Sequence, residues 1–144
     1  MILDTENQWA LLSIRDWHRD VLKKVYQQNF KKEIILAIRQ IEERGVEHVI
    51  IDLRDNQGGD TQHSRYLLSW LLNEEFVLVE SYSKKKKGKL LASKGPQMGL
   101  HKPLSRTFRG ELFVLINGGS FSNSGIFCSV LKEHERAYFI GEET

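Results

Sequence analysis

Three serines form a short cluster where an apolar stretch changes into a helical pattern. Residues 113–125 read FVLINGGSFSNSG, and the serines are Ser120, Ser122 and Ser124. An apolar run of strand character ends at a glycine pair, and apolar residues at helical spacing begin after the serines. Because such a strand-to-helix turn can expose a hydroxyl beside free backbone N–H groups, the pattern is typical of a nucleophile position. Serines are also ordinary helix N-caps, so the pattern alone leaves both interpretations open.

A second glycine pair, Gly58–Gly59, also follows an apolar run and precedes a helical pattern. In open α/β sheets, ligands bind beyond the carboxyl ends of the strands, where both glycine turns are predicted to lie. Glycine lets the backbone come close to a substrate and direct an N–H group at it. One N–H group from each turn would then stabilise an oxyanion, each contributing about 3 kcal/mol to the transition state. Ser122 would lie at the positive end of the second helix, which favours negative charge.

The elements that must position these turns alternate between strands and helices. The apolar run at His48–Leu53 is nearly continuous, which is typical of a strand buried on both faces. The alternation predicts an α/β fold with a largely parallel sheet and flanking helices, built from repeated strand-turn-helix units. The predicted strands are Trp9–Ile14, His48–Leu53, Phe76–Ser83, Lys89–Ser93, Leu112–Ile116 and Ala137–Ile140, and the predicted helices are Asp20–Arg44, Thr61–Leu72 and one after the serine cluster.

Length and composition fit one globular domain over residues 1–144. The chain is 40% apolar and 28% charged, and no apolar run approaches the length that a membrane helix needs. No signal peptide is expected at the start. The lone cysteine, Cys128, lies in the helical pattern after Ser122 and is predicted to be a core residue.

Basic residues are concentrated in one segment, residues 81–110. It holds nine of the 21 Lys and Arg residues and no Asp or Glu, so the remainder of the chain is acidic. The segment is predicted to be a basic hairpin and loop insertion whose tip, Lys84–Lys87, is solvated. A protein that binds nucleic acid as its main function is disfavoured by the acidic remainder.

Other ionisable residues offer weaker candidates for chemistry. Asp52 and Arg54, at a strand end, are predicted to pair and brace the turn. His63 follows the first glycine turn and could approach Ser122, but a histidine at a helix start is usually just solvated. The sequence has no zinc spacing, phosphate-binding loop or dinucleotide fingerprint, so we expect no metal and no cofactor.

Three segments together carry a family resemblance that spans residues 9–144. They are IIDLRDNQGG at residues 50–59, VLINGGSFSNS at 114–124 and RAYFIGEET at 136–144. In this order and spacing they resemble the C-terminal processing peptidases, or tail-specific proteases, which include the tricorn core. The resemblance implies a ClpP/crotonase-like fold and hydrolysis of peptide bonds in a peptide or unfolded protein. It also suggests a bacterial periplasmic or extracytoplasmic location.

Site residues carry over from the resemblance by position. Ser122 matches the nucleophile, and the backbone N–H groups of Asn123 and of either Gly58 or Gly59 match the oxyanion hole. The chain departs from the family pattern at Gly125, where the family commonly has glutamate.

The second departure from the family pattern is that the general base of the family has no counterpart in these residues. In one branch of the family it is a lysine that follows the segment matched at 136–144, and in the other it is a histidine before the peptidase core. We therefore expect these residues to be a catalytic-core fragment that is inactive alone, with homo-oligomers or strand exchange at exposed sheet edges. The alternative is a peptide-binding or scaffold domain of the same fold that has lost catalysis.

Overall fold

The computed structural model describes residues 1–86, 89–93, 95 and 97–142, which form both strands and helices. The strands are β1 (Ile2–Asp4), β2 (Trp9–Ser13), β3 (His48–Asp52), β4 (Phe76–Val77), β5 (Tyr82–Lys86), β6 (Lys89–Ser93), β7 (Leu100–His101), β8 (Glu111–Ile116) and β9 (Tyr138–Gly141). The helices are α1 (Arg19–Lys24), α2 (Phe30–Glu43), α3 (Thr61–Leu71) and α4 (Asn123–Glu133).

The main sheet has five strands in the order β1-β2-β3-β8-β9. The β2–β3, β3–β8 and β8–β9 pairs are parallel, and only β1 runs antiparallel to its neighbour. The predicted α/β fold with a largely parallel sheet is confirmed. Parallel neighbours bring the carboxyl ends of β3 and β8 to the same edge, which places the two glycine turns together.

The two faces of this sheet differ in burial. Val49 and Ile51 of β3 are fully buried, whereas Ile50 between them is only partly buried. The prediction that this strand is buried on both faces is therefore wrong for one face. On that face, aromatic rings of neighbouring strands pack together. The ring centroid of Trp9 lies 4.5 Å from that of His48 and 5.2 Å from that of Phe113.

The helices cover the buried face, and α3 packs against both α2 and α4. Of the four residues of α3 that helical spacing predicts to face inward, Leu67, Trp70 and Leu71 are buried and Tyr66 is partly buried. Cys128 of α4 is buried as predicted, and burial raises the pKa of its thiol to about 12. The core is thus one continuous layer between sheet and helices.

The single long helix predicted over Asp20–Arg44 is wrong. The chain forms two helices, α1 and α2, because Gln27 takes a left-handed conformation with φ of 54°. Asn29 then caps α2, its side-chain oxygen accepting a hydrogen bond from the N–H of Lys32 at 3.1 Å. Apolar residues keep helical spacing through the break, which hides it from the sequence pattern.

The basic insertion contains the predicted return strand. β5 and β6 pair antiparallel as a separate two-stranded sheet, with Lys84 opposite Leu91. The polar turn predicted from Lys84 begins later, since β5 continues to Lys86. Lys87 and Gly88 lie outside the described residues. The predicted strand Phe76–Ser83 is divided: its start is β4, which pairs antiparallel with β7, and its end belongs to β5. No strand is predicted at β7.

No helix in the described part of the chain is long and apolar enough to cross a membrane.

Candidate active site

The two glycine turns meet at the carboxyl ends of β3 and β8. These strands are neighbours along the whole of β3, so the turn at 53–60 lies beside the turn at 117–122. A backbone hydrogen bond joins the turns directly: the N–H of Phe121 donates to the carbonyl of Asn56 at 3.0 Å. The serine cluster and the first glycine pair therefore form one site.

Ser122 occupies a strained position at the start of α4. Its backbone has φ of 56° and ψ of −111°, a region that residues other than glycine rarely adopt. It stands at the N-cap position of α4, yet its side chain makes no capping hydrogen bond. The residue is exposed, and its hydroxyl bonds to no other described residue. Ser122 thus combines a strained strand-to-helix turn with a hydroxyl that is unbonded within the described residues.

The other two serines of the cluster have structural roles. Ser120 is buried and donates to the carbonyl of Leu53 at 2.8 Å, and Ser124 is buried and donates to the carbonyl of Asn56 at 3.0 Å. Ser124 also accepts a bond from the indole N–H of Trp17 at 2.9 Å. Both hydroxyls fasten the second glycine turn to the first. The tertiary structure thus separates Ser122 from its neighbours.

Gly58 packs directly against the candidate nucleophile. A Cβ atom added to Gly58 would lie 2.8 Å from the Cβ of Ser122 and 2.9 Å from the backbone nitrogen of Asn123. Its φ of 102° is also rarely open to other residues. Glycine is therefore required here for both space and conformation. The N–H of Gly58, however, already donates to the side-chain oxygen of Asn56 at 2.9 Å.

The backbone N–H groups of Gly59, Ser122 and Asn123 have no hydrogen-bond partner within the described residues. Gly59 forms an isolated β-bridge with Trp17, but the hydrogen bonds of this bridge involve the two neighbours of Gly59. The N–H of Trp17 donates to the carbonyl of Gly58, and the N–H of Asp60 donates to the carbonyl of Trp17. The side chain of Asn123 is buried, and its oxygen accepts a bond from Ser64 at 2.7 Å. This bond holds the first residue of α4 against α3. Gly59 in the first turn and Ser122 and Asn123 in the second thus each carry an N–H group that is unpaired within the described residues.

Asn56 is a site residue that the sequence reasoning missed. Its side chain is fully buried, donates to the carbonyl of Ile14 at 2.7 Å and accepts from Gly58. Its backbone carbonyl accepts from Phe121 and from the hydroxyl of Ser124. Asn56 therefore joins the end of β2 to both glycine turns. Its position inside the DLRDNQGG segment was the signal that could have identified it.

Asp52 and Arg54 form the bracing pair that the sequence predicts. The carboxylate of Asp52 is buried and accepts from the Arg54 guanidinium at 2.8 and 2.9 Å and from the Arg54 backbone N–H at 3.1 Å. Arg15 adds a second positive charge at 3.6 Å. Hydrogen bonding from Arg54, with the charges of both arginines, lowers the pKa of the Asp52 carboxyl against the opposing effect of burial. The pair fixes the exit of β3 and does not contact Ser122.

The first prediction concerns the pH dependence that Asp52 confers. Because its pKa is lower in the folded than in the unfolded chain, its stabilisation is complete above about pH 4 and disappears as the pH falls through the folded-state pKa. We expect Asp52→Asn to lower the free energy of unfolding by about 2 kcal/mol at pH 7 and by less at pH 3. Urea unfolding at both pH values measures this, with the exposed Asp20→Asn as control. An equal loss at both pH values would contradict the assignment.

The histidines near the site face other partners. His63 places its Nδ1 2.8 Å from the carbonyl of Trp17 and stacks on Phe30 at 4.5 Å, and it has no bond to Ser122. His18, which the sequence reasoning passed over, contacts the backbone of Gly59 and bonds through Nδ1 to Asp16 at 2.9 Å. Within the described ranges, neither histidine nor any lysine hydrogen-bonds to the hydroxyl of Ser122.

Gly125 lies in the first turn of α4, where neither the available space nor the backbone conformation requires a glycine. A Cβ atom added there would meet nothing within 4 Å, and its φ is not positive. The loss of the glutamate found in the family is therefore not a steric necessity.

We accordingly expect Gly125→Ala to stabilise the protein by about 0.5–1 kcal/mol, because alanine restricts the unfolded chain and favours the helix. Thermal unfolding measures the change. A lower melting temperature would show that the backbone of Gly125 needs a conformation that alanine resists.

The geometry supports acyl-transfer chemistry more than other kinds. An exposed hydroxyl, the positive end of α4 and backbone N–H groups that lack a partner in the described part of the chain belong to neighbouring turns at one edge of the sheet. Within the described ranges, no group of three His, Cys, Asp or Glu side chains lies close enough to hold a metal ion.

Comparison with known sequences identifies relatives along most of the chain. The profile of Peptidase family S41 matches residues 9–144. A carboxyl-terminal-processing protease of Synechocystis sp. is 30% identical over 120 residues, which cover 83% of this chain and 26% of that protein. A probable CtpA-like serine protease of Staphylococcus epidermidis is 26% identical over 119 residues, which cover 83% of this chain and 23% of that protein. The chain thus spans about a quarter of the length of these relatives.

Solved structures share the fold at low sequence identity. The photosystem II D1 C-terminal processing protease matches 94% of this chain and 31% of its own, with a TM-score of 0.65 and 18% identity. Mature CPAF matches 94% of this chain and 37% of its own, with a TM-score of 0.74 and 17% identity. The mixed α/β arrangement with a mostly parallel sheet is therefore that of these proteases, and with the profile match it follows that the chain belongs to Peptidase family S41.

Proposed function

We propose that this chain is the ClpP/crotonase-like catalytic core of a serine peptidase that hydrolyses bonds in peptides or unfolded proteins. The observation that carries the proposal is the exposed hydroxyl of Ser122, which stands on a strained turn against Gly58. Membership of the peptidase family and the names of the relatives support the same reaction. Ser122 attacks the scissile carbonyl, and the resulting acyl-enzyme is then hydrolysed.

The oxyanion hole of this proposal consists of the backbone N–H groups of Gly59 and Asn123. Both groups lack a partner in the described part of the chain, whereas the N–H of Gly58 is bonded to Asn56. This difference favours Gly59 over Gly58 as the donor from the first turn. Gly58 instead provides the close contact that lets Ser122 approach the free N–H groups.

The general base of this proposal comes from outside these 144 residues. A serine hydroxyl without a base is a weak nucleophile, and no described histidine or lysine bonds to Ser122. The resemblance to C-terminal processing peptidases implies a lysine or a histidine in this role. The chain of 144 residues by itself is accordingly inactive or nearly so.

Two experiments on the full-length protein test the proposal: covalent labelling of its reactive serine and cleavage of a substrate. A fluorophosphonate probe is expected to label Ser122, identified by mass spectrometry of the digested protein. An unfolded protein substrate is expected to be cleaved, and prior labelling is expected to stop its cleavage. Label confined to other serines, or cleavage that survives full labelling, would overturn the proposal.

A scaffold domain without catalysis is the second candidate, and Gly125 is the observation that favours it. This second function replaces the first if the whole protein binds unfolded polypeptide but does not cleave it and does not react with the probe.

A further inference from the structure

A groove rich in positive charge lies beside the first glycine turn. It has a volume of about 760 Å³, and no acidic residue lines it. Four basic side chains from three helices surround it: Arg19 and Lys23 of α1, Lys31 of α2 and Arg65 of α3. We call this the basic groove. It is separate from the basic insertion at residues 81–110.

The charges of the basic groove are largely uncompensated. Within the described part of the chain, Lys23, Lys31 and Arg65 have no carboxylate within 4.0 Å, and Arg19 approaches only Asp20, at 3.9 Å. The Nε of Arg65 is buried and has no hydrogen-bond partner among the described residues. Arg65 nevertheless lines the groove, so the charge of its guanidinium adds to the positive potential there. These charges favour an anionic ligand.

The groove is joined directly to the turn that holds Gly59. The ring of His63, which lines the groove, lies 2.8 Å from the carbonyl of Trp17, and that carbonyl also accepts from the N–H of Asp60 at 3.1 Å. The Asp60 carboxylate in turn accepts from the backbone N–H of Arg19 at 2.7 Å. A chain held at Ser122 and Gly59 therefore has a positively charged groove on one side.

We propose that the basic groove binds an acidic segment of the polypeptide substrate, to one side of the bond held at Ser122. The inference rests on the proposed peptidase function and assigns a substrate class to it. Charges spread over three helices fit an extended chain with several carboxylates better than a single small anion. A nucleic acid is less favoured, because the net charge of the whole chain is only +2.

The test measures binding of labelled peptides by fluorescence anisotropy, with the whole protein carrying Ser122→Ala so that cleavage cannot interfere. The probes are three twelve-residue peptides with a central run of Glu and Asp, of Gln and Asn, or of Lys. We expect the acidic peptide to bind at least tenfold more tightly than the neutral one, with affinity falling as salt rises.

The variant of the groove is Lys23→Glu with Lys31→Glu, and the matched control is Arg39→Glu with Lys132→Glu. All four residues are exposed, and both pairs change the net charge by the same amount, while neither Arg39 nor Lys132 lines the groove. We expect the groove variant to weaken binding of the acidic peptide at least tenfold and the control to weaken it less than threefold.

Several outcomes would overturn the inference. These are equal binding of acidic and neutral peptides, equal weakening by both variants, full displacement of the peptide by inorganic phosphate at low millimolar concentration, and tighter binding of a single-stranded oligonucleotide through the same lysines. Because no step needs catalysis, the groove can fail this test while Ser122 still reacts with the probe. Equally, the groove can pass in a protein that cleaves nothing.

Discussion

Replacing Ser122 by alanine is expected to lower peptide-bond cleavage by the whole protein at least about 10⁴-fold. In the proposed function this hydroxyl attacks the carbonyl, and the other two hydroxyls of the serine cluster are bonded to backbone carbonyls. Alanine keeps the Cβ atom that packs against Gly58, and Ser122 makes no side-chain hydrogen bond to a described residue. The free energy of unfolding should therefore change by less than about 0.5 kcal/mol.

The measurement compares initial rates on an unfolded protein substrate, together with urea unfolding of each variant. Ser129→Ala is the matched control, because Ser129 is also exposed and lies on the same helix, α4. We expect the control to keep wild-type activity. Substantial residual cleavage by the Ser122→Ala protein would contradict the assignment of the nucleophile.

Replacing Asn56 by alanine should have the largest effect on stability at the site. The change removes the bond to the carbonyl of Ile14 and leaves the N–H of Gly58 without its acceptor, in a position that is fully buried. Each abandoned buried group costs about 1–3 kcal/mol, so we expect the free energy of unfolding to fall by about 3 kcal/mol. Activity should fall as well, because Asn56 holds both glycine turns.

Gln57→Ala is the matched control for Asn56→Ala, since Gln57 is adjacent and exposed. Urea unfolding gives the stability of both variants, and assays under conditions where each is fully folded separate activity from stability. We expect a fall in kcat in the Asn56 variant that exceeds any rise in KM, because the displaced turns carry the oxyanion donors of the proposed function. A loss below 1 kcal/mol would show that water or a neighbour replaces the asparagine bonds.

The fold was largely predictable from local patterns. Apolar runs predicted β2, β3 and β8, and helical spacing predicted α3 and α4, because each of these elements presents a periodic apolar face to the core. The break between α1 and α2 was not predictable in this way. It depends on the left-handed backbone of Gln27, a residue type that carries no strong turn preference.

The location of the candidate site could be predicted from the sequence, but the role of each residue in it could not. Both glycine pairs indicated turns at strand ends, and the parallel sheet then brought them to one edge. The local pattern alone did not separate Ser122 from Ser120 and Ser124, since all three cluster at the start of the same helix, and only the family resemblance singled out Ser122. It also left Gly58 and Gly59 as equal candidates for the oxyanion donor.

The sequence by itself determined the alternating α/β order, the two glycine turns and the three segments that relate this chain to its peptidase family. Only the tertiary structure decided which serine is free, because Ser120 and Ser124 bond to carbonyls 67 and 68 positions away. It likewise distinguished the N–H of Gly58, bonded to Asn56, from that of Gly59. Such contacts between distant segments form only when β3 and β8 pair. Local patterns report what each segment prefers, and they do not record which hydroxyl or N–H remains free once the segments meet.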